Sequence, residues 1–227
     1  MKNRAYKNYI FDFHGTLVDI LTDEKDPVLW DTLGQLYQAY GAAYEGDALK
    51  KAYAKRVAQT RKELIEIKGV AYPEVDLAHI FNQLYVDGRS QSSNSSQPDD
   101  WGNLIAMVFR VLSRKQLLAY PHTKEVLTFL KEQGCRLYLL SNAQAAFTNA
   151  EIDLMELRPY FDAIYLSSDV GICKPQPEFL KQVLDDHGLK PSETVMVGND
   201  LTTDIAVAEA VGIDGILLNT FPYSPRE

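Results

Sequence analysis

Two different spacings of apolar residues divide this chain. Tyr9, Ile10 and Phe11 form a short apolar run that predicts a buried strand over 7–12. From residue 121 onward such runs alternate with amphipathic stretches. Pro121 opens a predicted helix with Val126, Leu127 and Leu130 on one face, and Gly134 stops it. The pattern continues as a strand over 136–141, a helix over 145–156 and a strand over 163–167. A helix over 177–187 ends at Gly188, and a strand follows over 194–198. A helix over 203–211, stopped by Gly212, and a strand over 214–218 close the series. Strand and helix alternating with short turns predict an α/β fold: a parallel sheet with helices on both faces, and the strand at 7–12 in its middle.

Residues 19–120 follow the other spacing. Leu49, Tyr53, Val57 and Leu64 recur at helical intervals with Lys, Arg and Glu between them. Similar patterns run through 27–40, 76–86 and 101–118, which predicts an all-helical insertion. Within it, the polar tract 89–97 (Arg-Ser-Gln-Ser-Ser-Asn-Ser-Ser-Gln) reads as a mobile, solvated connector.

Composition narrows the function classes. The 227 residues suit a core plus a smaller unit, and 46% hydrophobic residues supply a packed interior. A net charge of −8 argues against nucleic-acid or acidic-membrane partners, which favour basic surfaces. Phosphorylated small molecules remain compatible, because one lysine or a magnesium ion can reverse the potential inside a cleft. Two cysteines, Cys135 and Cys173, are too few for a disulfide framework or a zinc cluster and read as free thiols in a reducing compartment. No apolar run has membrane-spanning length, and the N-terminal residues lack a signal peptide's apolar stretch. A soluble, cytoplasmic protein is expected.

The candidate chemistry sits where the predicted strands end. Asp12 follows Phe11 and precedes the Gly15–Thr16 turn; a carboxylate so placed suits a nucleophile, a metal ligand or a simple turn cap. Ser141 and Asn142 follow the run from Leu137 to Leu140, and Lys174 with Pro175 follows Ile164, Tyr165 and Leu166 after a short loop. Asp200 and Asp204 follow Val195, Met196 and Val197; Asp204 also suits an N-cap for the next helix. In parallel α/β sheets, ligands bind at the carboxyl ends of the strands.

Aspartate, hydroxyl, lysine and paired acids, in that order, resemble the four motifs of the haloacid dehalogenase superfamily of hydrolases. The resemblance covers 1–18 and 121–227 and implies a Rossmann-like catalytic core, with 19–120 as a helical cap inserted between the first two motifs. It further implies a phosphatase acting on a small phosphorylated metabolite through an aspartyl-phosphate intermediate. Asp12 would attack phosphorus, with Ser141 and Lys174 stabilising charge and Gly15, Thr16 and Asn142 helping to bind the phosphate. Magnesium, with manganese as a substitute, would be held by Asp12, the His14 backbone carbonyl, Asp200 and Asp204.

Two positions depart from the family pattern. An acid usually follows the glycine that here is Gly198, where this chain has Asn199, so Asp200 and Asp204 compete for direct metal contact. His14 stands where family phosphatases usually carry a second Asp that protonates the leaving alcohol. An imidazole, with an ordinary pKa of about 6.5, suits acid and base work near neutrality, but it also serves as a space-filler. A non-acidic residue there also resembles 2-haloacid dehalogenases, which need no metal, and phosphonoacetaldehyde hydrolases, which need a cap lysine such as Lys50, Lys51 or Lys55. A non-catalytic phosphometabolite-binding module is the alternative outside enzymes.

Overall fold

Strands that are apolar on both faces need cover on both faces, which parallel sheets obtain from their crossover helices. The computed structural model describes residues 6–89 and 98–220. Apart from Arg89, the tract expected as a mobile connector lies outside the described residues. The described chain runs from β1 (Asn8–Phe11) into β2 (Val18–Thr22), then through α1 (Pro27–Ala39), α2 (Gly46–Lys68), α3 (Leu77–Gly88) and α4 (Trp101–Ser113). It returns by β3 (Arg114–Ala119) to α5 (Thr123–Glu132), β4 (Arg136–Ser141), α6 (Ala145–Leu154), β5 (Ala163–Leu166) and α7 (Ser167–Val170). It ends with α8 (Pro177–Asp186), β6 (Thr194–Gly198), a π-helical turn (Leu201–Ile205), α9 (Ala206–Val211) and β7 (Asp214–Leu217).

The main sheet has the order β5-β4-β1-β6-β7, and every pairing in it is parallel. Central β1 is thus where the expected pattern put it. Ile10, Tyr138, Leu140 and Met196 face α8 and α9 and pack on Phe179, Val183 and Val207. Phe11, Leu139 and Val197 point the other way, onto Leu127 of α5 and Ile152 of α6. Because β4 and β6 flank β1 on opposite sides, their connections leave a crevice beyond the carboxyl end of β1.

Helices α1 to α4 surround a second apolar cluster of Tyr37, Phe81, Trp101 and Phe109, which Phe147 of α6 joins. Leu49 is buried in it, and Tyr53, Val57 and Leu64 pack against it, as their spacing predicts. The insertion is nevertheless not all-helical. The helix expected over 101–118 stops at Ser113, and β3 pairs antiparallel with β2, with Ile20 opposite Leu117. Gln116 Nε2 donates to Asp19 Oδ2 at 2.6 Å, and the Asp23 N–H donates to the Ser113 carbonyl at 2.8 Å. Pairing across the ribbon overrides the local helical pattern. Helix α5 likewise starts at Thr123 rather than Pro121, after His122 turns the chain at φ 67°. Leu127 is buried there, whereas Val126 faces outward. No described helix is long and apolar enough to cross a membrane.

Candidate active site

The β1 ladder continues one residue past Phe11: the Asp12 N–H donates to the Val197 carbonyl at 2.9 Å. That bond fixes the backbone and delivers the carboxylate at the carboxyl end of the central strand. The chain then turns at Gly15, whose φ of +83° suits glycine. A Cβ there would also lie 2.7 Å from Asn199 Nδ2. The turn brings Thr16 Oγ1 to 3.2 Å from Asp12 Oδ2 and 3.1 Å from Asn199 Oδ1. Ser141, the last residue of β4, donates its hydroxyl to Asp12 Oδ1 at 3.0 Å.

The lysine loop is held by Asn142. Its side-chain oxygen accepts the Lys174 N–H at 2.7 Å, and its Nδ2 donates to the Lys174 carbonyl at 2.9 Å. Lys174 is 2% exposed. Its ammonium donates to Asp12 Oδ1 at 2.8 Å, Asp204 Oδ1 at 2.7 Å and the Leu140 carbonyl at 2.7 Å. All three of its protons are therefore used. Burial works against the charge, but Asp12 and Asp204 outweigh it and hold the ammonium above the ordinary lysine pKa. One ammonium shared by two carboxylates leaves each only partly compensated. Burial and the charge of Asp12 accordingly push Asp204 above its ordinary value.

The two late acids have separate tasks. Asp204 is buried, and its Oδ2 accepts the N–H groups of Asn199 at 3.0 Å and Asp200 at 3.1 Å. A Cβ at Gly198 would lie 2.2 Å from the Asp204 carboxylate, so this approach requires glycine. Asp204 is not the helix cap. Asp200 caps instead, accepting from the Thr202 N–H at 2.6 Å, because the helix starts one turn early as the π-helical segment. Asp200 is exposed; burial works to raise its pKa, but the Thr202 hydrogen bonds outweigh it and the net shift is downward.

These groups enclose a cavity of about 230 Å³, lined by Asp12, His14, Ser141, Asn142 and Lys174 together with Asn199, Asp200, Thr203 and Asp204. A larger one of about 330 Å³, between Leu17, Tyr120 and Leu218, holds no carboxylate. In the smaller cavity, three carboxylates and one ammonium leave a formal charge of −2, with His14 left out of the count. A phosphate dianion would be repelled there without a divalent cation. The donors are hard oxygens, which suit magnesium. Among the described residues no three His, Cys, Asp or Glu side chains form a metal cage. Magnesium is commonly held by one or two carboxylates with retained water, so the donor set fits that mode. Gly15 and Thr16 stay outside the cavity wall, although Thr16 reaches Asp12. Lys50, Lys51 and Lys55 do not line it; Lys50 Nζ donates to the Lys25 carbonyl at 2.9 Å. Cys135 and Cys173 are free thiols.

The sequence pattern missed two residues behind His14. Glu151 of α6, with a side chain 2% exposed, approaches His14 Nε2 through Oε2 at 2.9 Å. Arg110 of α4 donates from Nε to Glu151 Oε1 at 2.7 Å and from Nη2 to Oε2 at 3.1 Å. Arg114 adds a 3.1 Å contact to Oε1. Spacing could have revealed the carboxylate, since Glu151 falls on the buried face of α6 with Phe147, Thr148 and Ile152. Burial alone would raise the Glu151 pKa, but hydrogen bonds from His14 and Arg110 lower it from 4.5 to about 2.

A family model described as haloacid dehalogenase-like hydrolase matches residues 6–212. The chain is 33% identical over 104 residues to a glyceraldehyde 3-phosphate phosphatase of Methanothermobacter thermautotrophicus, 46% of each protein. It thus spans about half the length of that relative. It is 27% identical over 215 residues to a pyrimidine 5'-nucleotidase of Streptococcus pneumoniae, covering 94% of this chain and 84% of that one. A HAD phosphatase structure from Thermococcus onnurineus superposes with TM-score 0.60 at 20% identity, over 97% of this chain and 89% of that chain. A 2-haloacid dehalogenase structure from Pseudomonas syringae pv. Tomato gives 0.63 at 21%, over 98% and 91%. The two structures share the fold.

Asp204→Ala strips buried Lys174 of one carboxylate and leaves the part-buried N–H groups of Asn199 and Asp200 without their acceptor, so it should cost about 3–5 kcal/mol. Asp200→Ala should cost about 1 kcal/mol, the worth of an exposed cap. Urea unfolding of both variants checks the ranking. For Glu151 the folded pKa lies below the unfolded one, so its contribution is complete above about pH 4.5 and is lost as pH falls towards about 2. That contribution is on the order of 3 kcal/mol. The unfolding free-energy gap between wild type and Glu151→Gln should shrink over that interval, and a gap independent of pH would contradict the assignment.

Proposed function

The chain belongs to the haloacid dehalogenase-like hydrolases, and from that membership we propose that it is a magnesium-dependent phosphatase of a small phosphorylated metabolite. The observation that carries the reading is the Asp12 carboxylate at the end of β1, held by Lys174, Ser141 and Thr16 beside an open cavity. The family and the phosphatase names of its relatives favour a phosphate monoester as substrate. We further assign 1–18 and 121–227 to the catalytic core and 19–120 to a cap that selects the leaving group. The apolar cluster of α1 to α4 supports that division, because all its buried members but Phe147 fall within 19–120.

In this mechanism Asp12 attacks phosphorus as the ester P–O bond breaks, and the bond's electron pair leaves with the alcohol oxygen. Water then attacks the aspartyl-phosphate, releasing inorganic phosphate and restoring the carboxylate. Lys174 orients Asp12 through its 2.8 Å hydrogen bond and partly offsets the charge gathered around phosphorus. The Ser141 hydroxyl and the N–H groups beyond Asp12 are the candidate donors to the non-bridging oxygens. Magnesium, or manganese in its place, held by Asp12, Asp200 and the His14 carbonyl, would supply the positive charge that lets two anions approach. Asp204 acts mainly by anchoring Lys174 and the 198–200 turn. The imidazole at position 14 keeps a metal-free 2-haloacid dehalogenase as the second reading, and metal dependence separates the two.

Asp12→Ala should abolish phosphate-ester hydrolysis by several orders of magnitude, with Lys174 still paired to Asp204 and the fold kept. Wild-type activity should vanish reversibly in chelator and return with magnesium or manganese. Asp200→Asn should raise the metal concentration needed more than Asp204→Asn does. Activity within about tenfold of wild type in folded Asp12→Ala, or full activity in chelator, would contradict the proposal.

A further inference from the structure

The family pattern puts an acid at position 14, and this chain has instead a histidine backed by a carboxylate. The His14 ring packs on Phe13, with centroids 4.7 Å apart, and its side chain is 18% exposed at the cavity. Its Nε2 stands 2.9 Å from Glu151 Oε2. Arg110 Nη2 lies farther from the same nitrogen, at 3.3 Å, and donates to Glu151 Oε2 at 3.1 Å. A bare Nε2 would oppose the nearer carboxylate oxygen with its lone pair, so Nε2 carries the proton and donates it. Glu151 cannot turn away. Arg110 grips both of its oxygens and Arg114 grips Oε1. Arg110 is itself held, its guanidinium 4.7 Å above the Phe147 ring. Nδ1 is the nitrogen left without a partner among the described residues.

We infer that Glu151 is a positioning residue: it fixes the His14 ring with Nε2–H on the carboxylate and makes Nδ1 the nitrogen that exchanges a proton with substrate. This deepens the phosphatase reading and rests on it. In the first half-reaction, which needs a proton on each ring nitrogen, the P–O electron pair goes to the leaving oxygen, which takes the Nδ1 proton and leaves the ring neutral with Nε2–H. In the second, Nδ1 takes a proton from the attacking water, and Nε2–H stays on Glu151 throughout. Carboxylate and imidazole together thus replace the single acid that the family usually carries. Arg110 belongs to α4, so the insertion contributes to holding the proton-transfer group.

The test compares kcat/KM for an alkyl phosphate and for p-nitrophenyl phosphate, whose leaving group needs no proton. The proteins are wild type, Glu151→Gln, His14→Ala and the double variant, each checked for folding by thermal melting. Glu151→Gln should slow the alkyl ester by roughly ten- to a hundredfold and the aryl ester by less than about threefold. In the His14→Ala background, Glu151→Gln should change either rate by less than about twofold. Equal losses on both esters, or an undiminished loss without His14, would make Glu151 a purely structural partner of Arg110 and overturn the inference. A second measurement needs neither turnover nor a folded Glu151 variant: nitrogen-15 NMR of wild type labelled at its four histidines. The His14 signals, assigned by their loss in His14→Ala, should show a protonated Nε2, and an unprotonated Nε2 overturns the inference. Failure of the phosphatase reading would appear instead as no hydrolysis of either ester by wild type with Nε2 still protonated.

Discussion

A single ammonium, buried between two carboxylates, organises this protein's chemistry. Lys174 joins Asp12 after β1, the Leu140 carbonyl in β4 and Asp204 after β6, which are three neighbouring strands of the sheet. A buried charge is tolerated only when it is paired and fully hydrogen-bonded. The geometry of the site is therefore also a condition of stability: displacing any of these partners leaves a charge or a donor unsatisfied. The same arrangement leaves the cavity with excess negative charge, so an anionic substrate would be repelled there unless a cation accompanied it.

The insertion meets the core through more than its stems. Apart from the β2–β3 ribbon, residues on either side of Glu74 are fastened to the lysine loop. The Cys173 N–H donates to the Tyr72 carbonyl at 2.8 Å, the Glu74 N–H to Gly171 at 3.1 Å, and Lys68 Nζ to Gly171 at 3.0 Å. Gln144 Nε2 reaches the Val75 carbonyl at 3.0 Å, while its Oε1 accepts the Leu77 N–H at 2.9 Å. With Arg110 on Glu151, these bonds tie the helical unit to loops carrying Lys174, Ser141 and His14. Substrate selection by the insertion and chemistry in the core would then share one set of polar contacts.

What was legible in the sequence was whatever a local pattern could encode. Apolar runs such as Leu137 to Leu140 have one stable destination, a buried parallel strand, and glycines such as Gly134 and Gly212 mark where helices stop. The positions of Asp12, Ser141, Lys174 and the late acids followed from those strand ends. Long-range partners were harder to see. Residues 114–118 carry a helical pattern, yet their backbone is claimed by β2, almost a hundred positions earlier. Asp204 looked like a cap because the π-helical start, which moves the cap to Asp200, depends on Lys174 and the amides of Asn199 and Asp200 reaching its carboxylate. Glu151 and Arg110 resembled ordinary helix charges until the fold brought them together with His14.

The central claim is that Asp12 itself becomes phosphorylated. Mixing enzyme, magnesium and a reactive phosphate ester, quenching in acid within milliseconds and reducing with borohydride converts an aspartyl-phosphate to homoserine. Peptide mass mapping should then find homoserine at position 12 in the substrate-treated sample and aspartate in the untreated control. Hydrolysis that proceeds with position 12 unmodified at every quench time, or with the phosphoryl group trapped on another residue, would contradict the account.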